Sequence, residues 1–490
     1  MNPALSHERL VQLQRFVSAH MGLHFAAERF EDLARGFGAA AAEFGFHEAE
    51  SCAAWLLSAP LKRSQIEVLA SHLTIGETYF FRDPECFTAL EQEVLPRLIR
   101  GRAGRQKRLR LWSAACCSGE EAYSLAIVLT RVLPDVAEWE ITLLATDINP
   151  RALRKAAAGV FGEWSFRGAA PGFRERYFRP RDEHTWEILP ALRRLVTFSY
   201  LNLAHDAYPS LATNTNAMDL ILCRNALMYF EPAGFRRAAG NLFRALADGG
   251  WLLVAASEVS QVNFPGFEAV HFPGAIFYRK PVELVAAAAA MAAATAPLPP
   301  ELEWAKTVSV AAAPRVPAAA ATPVRDRFAE ARALFGEGRY AEAGGVLTEL
   351  AAAGPVEARV LALWAHVCAN EGRLAEARRL CEEALGREKL NASLHYLRAS
   401  VLQEQGELLE AAASFQRALF LDPNFVLAHF ALGNLARRLG RLPEARKNFA
   451  NARQLLHRLP PGEVLPESDG ITAGRLAEVI QSLLRQDQVA

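Results

Sequence analysis

The sequence predicts a doubly wound, Rossmann-like α/β sheet between a helical N-terminal segment and an all-α C-terminal solenoid. Three observations predict it. From about residue 109 to 280, short apolar runs alternate with amphipathic stretches, as buried parallel strands and their crossover helices do. Residues 1–72 carry apolar positions at helical spacing. Near the C-terminus a Gly-x-x-x-Glu-Ala signature returns every 34 residues.

Composition sets the outer limits. The 490 residues are 51% hydrophobic and 22% charged, so most of the chain can bury a core. Lys plus Arg and Asp plus Glu are each 54, and the balance is local as well as global. Up to Lys280 there are 31 basic and 30 acidic residues, and beyond it 23 and 24. A globally basic nucleic-acid binder is therefore disfavoured. The seven Cys include the adjacent Cys116 and Cys117 but no C-x-x-C, against a disulfide framework or a zinc ribbon. His20 and His24 stand at i, i+4 with no Glu after His20 and no third ligand, so a surface pair is expected and no metal. Met1 to Leu10 lack an apolar h-region. The stretch Leu284 to Ala296 is mostly Ala, too short to span a bilayer, and runs into Pro297. A reduced, cytoplasmic protein is the expectation.

The elements follow in order. Leu10, Leu13, Phe16 and Val17, then Phe30, Leu33 and Phe37, mark helices in residues 1–72, the N-terminal helical domain. The α/β domain is expected over 73–280. Its strands are read at Leu109–Trp112, Ile141–Thr146, Leu220–Leu222 and Trp251–Val254, with a last one, antiparallel in prospect, at Ala275–Tyr278. Helices are expected over Glu120–Leu133 and Gly234–Leu246. Residues 281–323 are rich in Ala, Pro and Val and read as an extended linker. The repeat signature begins at Gly338, Gly372, Gly406 and Gly440, and Ala384, Ala418 and Ala452 mark a second small position. Asp422-Pro423 supplies a turn between units. This 34-residue helix-turn-helix pattern, over 324–458, resembles the tetratricopeptide repeat. Such arrays take a protein or peptide on the concave face, and a plain spacer is the alternative. Residues 459–490 are read as a tail with a capping helix near Arg475 to Leu484.

The chemistry is expected where the first strand ends, the nucleotide end of a doubly wound sheet. There the loop Ala114-Ala115-Cys116-Cys117-Ser118-Gly119-Glu120-Glu121 has one Gly, not the G-x-G-x-x-G that a pyrophosphate requires. NAD, FAD and ATP are disfavoured. A nucleoside without phosphates fits better, and S-adenosylmethionine is the common one. The second strand ends at Thr146-Asp147-Ile148-Asn149-Pro150, where a carboxylate can accept both hydroxyls of a ribose. An Asp there can equally be the N-cap of the next helix.

Longer motifs carry a family resemblance. Thr74-Ile75-Gly76-Glu77-Thr78-Tyr79-Phe80-Phe81-Arg82-Asp83 resembles the segment before the sheet in the chemotaxis receptor methyltransferases, the CheR family. Trp112 through Ser124 is similar to that family's first-strand loop, and Cys223-Arg224-Asn225-Ala226-Leu227-Met228-Tyr229-Phe230 to its fourth-strand motif. Asn202-Leu203 and Ser257-Glu258 fall at matching intervals. Residues 1 to about 280 follow the pattern in unbroken order.

The resemblance implies methyl transfer from S-adenosylmethionine to receptor glutamates, leaving S-adenosylhomocysteine. It implies that Gly76, Thr78 and Arg82 lie near the methionyl end, with Arg82 and Tyr229 at the point of transfer. Glu121 would take the cofactor's amino group and Asp147 its ribose. Asn202, Leu203, Arg224 and Asn225 would close around the adenosine. Gly76 stands where many members have Asn, Cys117-Ser118 replaces Ser-Thr, and Ala122 replaces Pro. The implied substrate is the cytoplasmic helical bundle of a chemoreceptor, with the protein peripheral to membrane receptor arrays. A non-catalytic scaffold acting through the repeats is the rival reading, and methylation of nucleic acid or a small molecule another. The basic run Arg97, Arg100, Arg102, Arg105, Lys107, Arg108 and Arg110 can meet an acidic receptor face or be a solvated connector. Tyr177 to His184 lacks the Gly-x-Gly turn of members that grip a receptor's C-terminal peptide, so that tether is not expected.

Overall fold

The computed structural model describes residues 5–58, 61–102, 107–204, 208–210, 213–282, 324–336, 339–468 and 471–489. Four helices come first: α1 (His7–Met21), α2 (Phe30–Glu43), α3 (Ala49–Leu57) and α4 (Arg63–Leu73). Ser6 caps α1 by accepting the Arg9 N–H at 3.2 Å. The apolar stripe read from the sequence is buried as one core, with Leu13, Leu33 and Phe37 fully inside. Helix α1 stops at Gly22, where φ is +74° and a Cβ would lie 2.7 Å from the Phe230 ring. Only glycine gives both that turn and that approach.

Ten strands follow: β1 (Arg108–Ala114), β2 (Glu140–Asp147), β3 (Val160–Gly162), β4 (Phe178–Pro180), β5 (Thr185–Ile188), β6 (Val196–Tyr200), β7 (Met218–Leu222), β8 (Leu246–Leu253), β9 (Glu268–Phe272) and β10 (Ala275–Arg279). Seven form the main sheet in the order β6-β2-β1-β7-β8-β10-β9. β6, β2, β1, β7 and β8 are parallel, and β10 lies antiparallel between β8 and β9, as its sequence suggested. The chain reverses its winding between β1 and β7, so a crevice opens beyond their C-terminal ends. Alternate residues of β1 face opposite layers: Leu109 and Leu111 join one core cluster and Trp112 the other. Helix α7 (Glu120–Val132) follows β1, and Pro232–Ala245 precedes β8. β3, β5 and β4 make a separate small antiparallel sheet.

The C-terminal region is four helix pairs: Val324–Gly336 with Tyr340–Ala352, Ala358–Asn370 with Leu374–Arg387, Ala392–Glu404 with Leu408–Leu421, and Val426–Arg438 with Leu442–Leu456. Gly372, Gly406 and Gly440 turn each pair with φ of +79°, +82° and +72°. Ala343, Ala377, Ala411 and Ala445 open the second helices and are wholly buried, as are Ala384, Ala418 and Ala452. These small residues let the helices cross closely. A final helix, Ala473–Val489, covers the last pair with Leu476 and Ile480 against Phe449 and Leu456. Of the expected linker over 281–323, all but Pro281 and Val282 lies outside the described residues, as do Gly338 and Arg105.

Among the described residues, much of the basic run is paired within the chain, with Arg97 and Lys107 still nearly half exposed. Arg97 pairs with Glu93 at 2.7 Å, Arg102 with Asp219 at 2.5 Å and Lys107 with Glu138 at 2.5 Å. Arg108 and Arg110 both reach Glu404, at 2.5 and 2.8 Å. Arg110 is buried, and Arg100 is exposed. The sequence shows the cations close together but not their partners, which lie as far as 296 residues away.

Gly433 tests the array's packing. A Cβ there would sit 2.5 Å from the Phe449 ring. Gly433→Ala is expected to destabilise the array by about 1–3 kcal/mol in a denaturant melt of the full chain. An unchanged array transition would contradict this packing.

Candidate functional site

β1 runs into a loop in which Ala115, Cys117 and Gly119 take φ of +62°, +52° and +95° before α7 starts at Glu120. A Cβ on Gly119 would lie 2.8 Å from the Ala156 Cβ, so the loop can be this tight only with glycine there. The Cys117 N–H donates to Asp147 Oδ2 and the Asn149 N–H to Asp147 Oδ1, each at 2.8 Å. Asp147 thus ties the β1 loop to the β2 loop. It does not cap α8 (Pro150–Ala158); Asn149 does, by accepting from Arg151 and Ala152. Burial raises the Asp147 carboxyl above its ordinary pKa, against the lowering effect of the backbone donors.

Glu121 lies one turn into the pocket. The Ser113 hydroxyl donates to its Oε1 at 2.8 Å, and Arg224 Nη1 to its Oε2 at 3.3 Å. Burial raises this carboxyl too, partly offset by Arg224 and Ser113. Arg224, at the end of β7, has a side chain only 1% exposed. Its Nη2 donates to the Arg82 carbonyl at 2.7 Å and pairs with Asp83. Burial opposes its charge, but Glu121 and Asp83 outweigh that and leave its pKa raised. Its Nε is buried with no acceptor among the described residues.

The segment 78–83 is bent by two left-handed residues, Phe81 at φ +55° and Asp83 at +58°. Phe80 anchors it in a nest of Phe161, Phe166, Phe173 and Phe178. The Phe80 N–H donates to the Ser165 carbonyl at 2.9 Å, and the Phe81 N–H to the Ser124 hydroxyl at 3.0 Å. Between these anchors Arg82 is turned toward the pocket, its Nη1 on the Glu77 carbonyl at 2.8 Å.

Thr78, Arg82, Glu121, Asp147, Asn202, Leu203, Arg224, Asn225 and Tyr229 all line one cavity of about 1160 Å³, its solvent mouth included. Gly76 does not line it. That residue is exposed, and a Cβ there would only touch the Cys117 sulfur at 3.7 Å. Cys117 lines the cavity, but burial pushes its thiol up to about 12, so no thiolate nucleophile is on offer at neutral pH. Among the described residues no three His, Cys, Asp or Glu converge on a metal position. The rest of the lining is largely apolar, with Leu73, Phe87 and Leu201 among it. Two buried carboxylates, a lone buried guanidinium nitrogen and apolar walls without a phosphate cradle fit a positively charged nucleoside such as S-adenosylmethionine.

Sequence reasoning missed three features. The first is the roof: Leu23, His24, Phe25 and Arg29, from the connection between α1 and α2, line the cavity. The His24 N–H donates to the Tyr229 carbonyl at 2.6 Å, and Asn202 Nδ2 to the His20 carbonyl at 2.7 Å. No local pattern marks these residues, because contact with the sheet alone gives them their place. The second is Glu258, visible only as a matched interval. It is buried and accepts four backbone N–H groups, from Asn225, Ala226, Met228 and Ala255, at 2.8 to 3.1 Å. It therefore fixes the loop that carries Asn225 and Tyr229. The third is an exposed stack at the rim, in which Arg167 lies 4.0 Å from the Tyr79 ring and 4.2 Å from Trp164. Trp164 is 68% exposed, unusual for so large an apolar ring.

Glu258→Ala strips four donors of their acceptor inside the protein. It is expected to cost on the order of 3 kcal/mol in a denaturant melt. A loss below about 1 kcal/mol would mean that water or a neighbour replaces it readily.

Comparisons with known proteins agree with this geometry. The family model described as CheR methyltransferase, SAM binding domain, matches residues 76–272. Chemotaxis protein methyltransferase 2 of Vibrio cholerae is 32% identical over 217 residues, 44% of this chain and 74% of that one. Chemotaxis protein methyltransferase 1 of Pseudomonas aeruginosa is 35% identical over 218 residues, 44% of this chain and 77% of that one. A third relative, named as the probable biofilm formation methyltransferase WspC of Pseudomonas aeruginosa, is 30% identical over 311 residues, 59% of this chain and 71% of that one. With this cavity at the end of its parallel sheet, the chain belongs to the CheR family of S-adenosylmethionine-dependent methyltransferases.

Proposed function

We propose that this enzyme transfers methyl to the side-chain carboxylates of glutamates in the cytoplasmic helical bundle of a chemoreceptor, releasing S-adenosylhomocysteine. The observation that carries the reading is one cavity lined by both Arg82 and Tyr229, beside two buried carboxylates. Bound there, S-adenosylmethionine supplies an electrophilic methyl on its sulfonium. Asp147 takes the ribose hydroxyls and Glu121 the amino group. Each carboxylate has about four acceptor sites, so the bonds already made leave room. Thr78 faces the methionyl end, while Asn202, Leu203 and Asn225 flank the adenosine. Arg224 is committed to Glu121, Asp83 and the Arg82 carbonyl, so its task is to orient them.

The acceptor needs no general base, since a free glutamate with a pKa of about 4.3 is ionised at neutral pH. Its obstacle is the water around it. The apolar roof removes that water, and Arg82 with the Tyr229 hydroxyl aims one oxygen. Domain boundaries at 72, 280, 323 and 458 suit this division, with the first segment as roof and the repeats recruiting a protein or peptide. Trp164 with Arg167, at the rim, suits a helix whose glutamate enters below. The match with the WspC relative reaches beyond the length of the catalytic region and favours a second reading of the pathway, a surface-growth rather than a motility response.

The test is transfer of labelled methyl from S-adenosylmethionine to membranes carrying chemoreceptors. Label on the receptor that base releases as methanol supports the ester. Base-stable label would point to N-methylation, and no transfer to the scaffold alternative. Arg82→Ala is expected to lower kcat roughly 100-fold while S-adenosylhomocysteine affinity changes little. Loss of affinity with kcat intact would refute the assigned role.

The raised carboxyls also set a pH dependence. On acidification Asp147 and Glu121 take up protons before an exposed carboxylate does, near pH 4. S-adenosylhomocysteine affinity should therefore fall on the acid side from above that pH, and Asp147→Asn should flatten the fall. Stability of the free protein moves the opposite way. With folded pKa values above unfolded ones, the contribution of these groups is present at low pH and lost as pH rises through the folded values. A titration series across pH 4 to 7 reads the first, and melts over the same range the second.

A further inference from the structure

Described residues at or beside the turns of the first three helix pairs meet the loop before β7 or the end of the sheet where the strands begin. Tyr340, opening the second helix of the first pair, donates its hydroxyl to the Pro209 carbonyl at 3.1 Å. A Cβ on Gly372, in the second pair, would lie 3.1 Å from the Ala217 Cβ. A Cβ on Gly406, in the third, would lie 2.7 Å from Glu140 Oε2 at the start of β2. Beside it Glu404 is buried between Arg108 and Arg110, which share one face of β1.

Arg110 is a demanding partner. Besides Glu404, its guanidinium donates among the described residues to neutral acceptors, the Asn214 and Asn216 carbonyls at 3.1 Å and their side-chain oxygens at 2.5 and 3.4 Å, while its backbone N–H donates to Asp219 at 2.9 Å. Glu404 is thus the anion that touches a buried guanidinium, and burying either without the other is unfavourable. The array itself has no need of a Glu at this position. Counting by 34 residues, the equivalents are Gly336, Asn370 and Arg438. The carboxylate stands where the catalytic sheet requires it.

We infer that the repeat array is a fixed extension of the catalytic sheet, latched by Glu404 between Arg108 and Arg110. It holds its partner at the end of the sheet remote from the methyl-transfer cavity. Along β1 the latch residues Arg108 and Arg110 stand six and four residues before Ala114, about 20 and 13 Å from the cofactor loop. The array's partner and the methyl acceptor therefore approach from opposite ends and are separate surfaces. That consequence rests on the reading of the array as a recruiting module; the docking itself does not.

The test is a nitroxide pair on the full chain, at Glu175→Cys and Gln416→Cys, read by pulsed electron resonance. The latch predicts one narrow distance, which Glu404→Arg broadens while S-adenosylhomocysteine still binds. Glu404→Gln, the milder variant, should broaden it partly and serves if the reversal impairs folding. A broad distribution in the parent chain, or a narrow one unchanged by both substitutions, would overturn the docking. Failure to find receptor methylation would leave this result untouched.

Discussion

A guanidinium that must stay charged where water is nearly absent holds the site together. Arg224 lies at the end of β7 with almost no exposed side chain, and its charge is met by Glu121 from α7, by Asp83 and by the Arg82 carbonyl. Those partners come from two separated stretches of chain. Each is drawn to the same point by the cost of leaving the charge unmet. Glu258 performs the complementary task on the neighbouring loop, where four backbone donors converge on one carboxylate. The cavity walls are thus set by buried electrostatics on a scaffold built by apolar strands. Glu121 emerges oriented by the Ser113 hydroxyl and Arg224.

What could be read from the sequence followed from local physics. Buried parallel strands must be apolar on both faces, so β1, β2, β7 and β8 announce themselves as runs. A 34-residue period cannot be concealed. Asp147 stood out as a candidate because strand ends in a doubly wound sheet are where ligands sit, and Glu121 was named through the motif resemblance. The small sheet of β3, β4 and β5 went unread, since three- and four-residue strands carry no periodicity. So did the roof from Leu23 to Arg29, whose place depends on contacts with residues some 200 positions away. Gly76 was drawn from a motif resemblance, and the cavity passes it by.

The basic run shows the same limit more sharply. Its composition suited an acidic partner or a solvated connector alike, and for Arg97, Arg102, Lys107, Arg108 and Arg110 the partners are the chain's own Glu93, Asp219, Glu138 and Glu404. Charge clusters in a sequence specify what must be neutralised, not by whom. With Arg108 and Arg110 spent on the array, the cavity rim still offers Arg82, Arg29 and the Trp164 stack.

The most direct measurement is a crystal structure of the full chain with S-adenosylhomocysteine. The account predicts the ribose hydroxyls on Asp147, the amino group on Glu121 and the sulfur directed at the space between Arg82 and Tyr229. A ligand bound with its ribose away from Asp147, or with its sulfur turned from Arg82, would contradict the site as described.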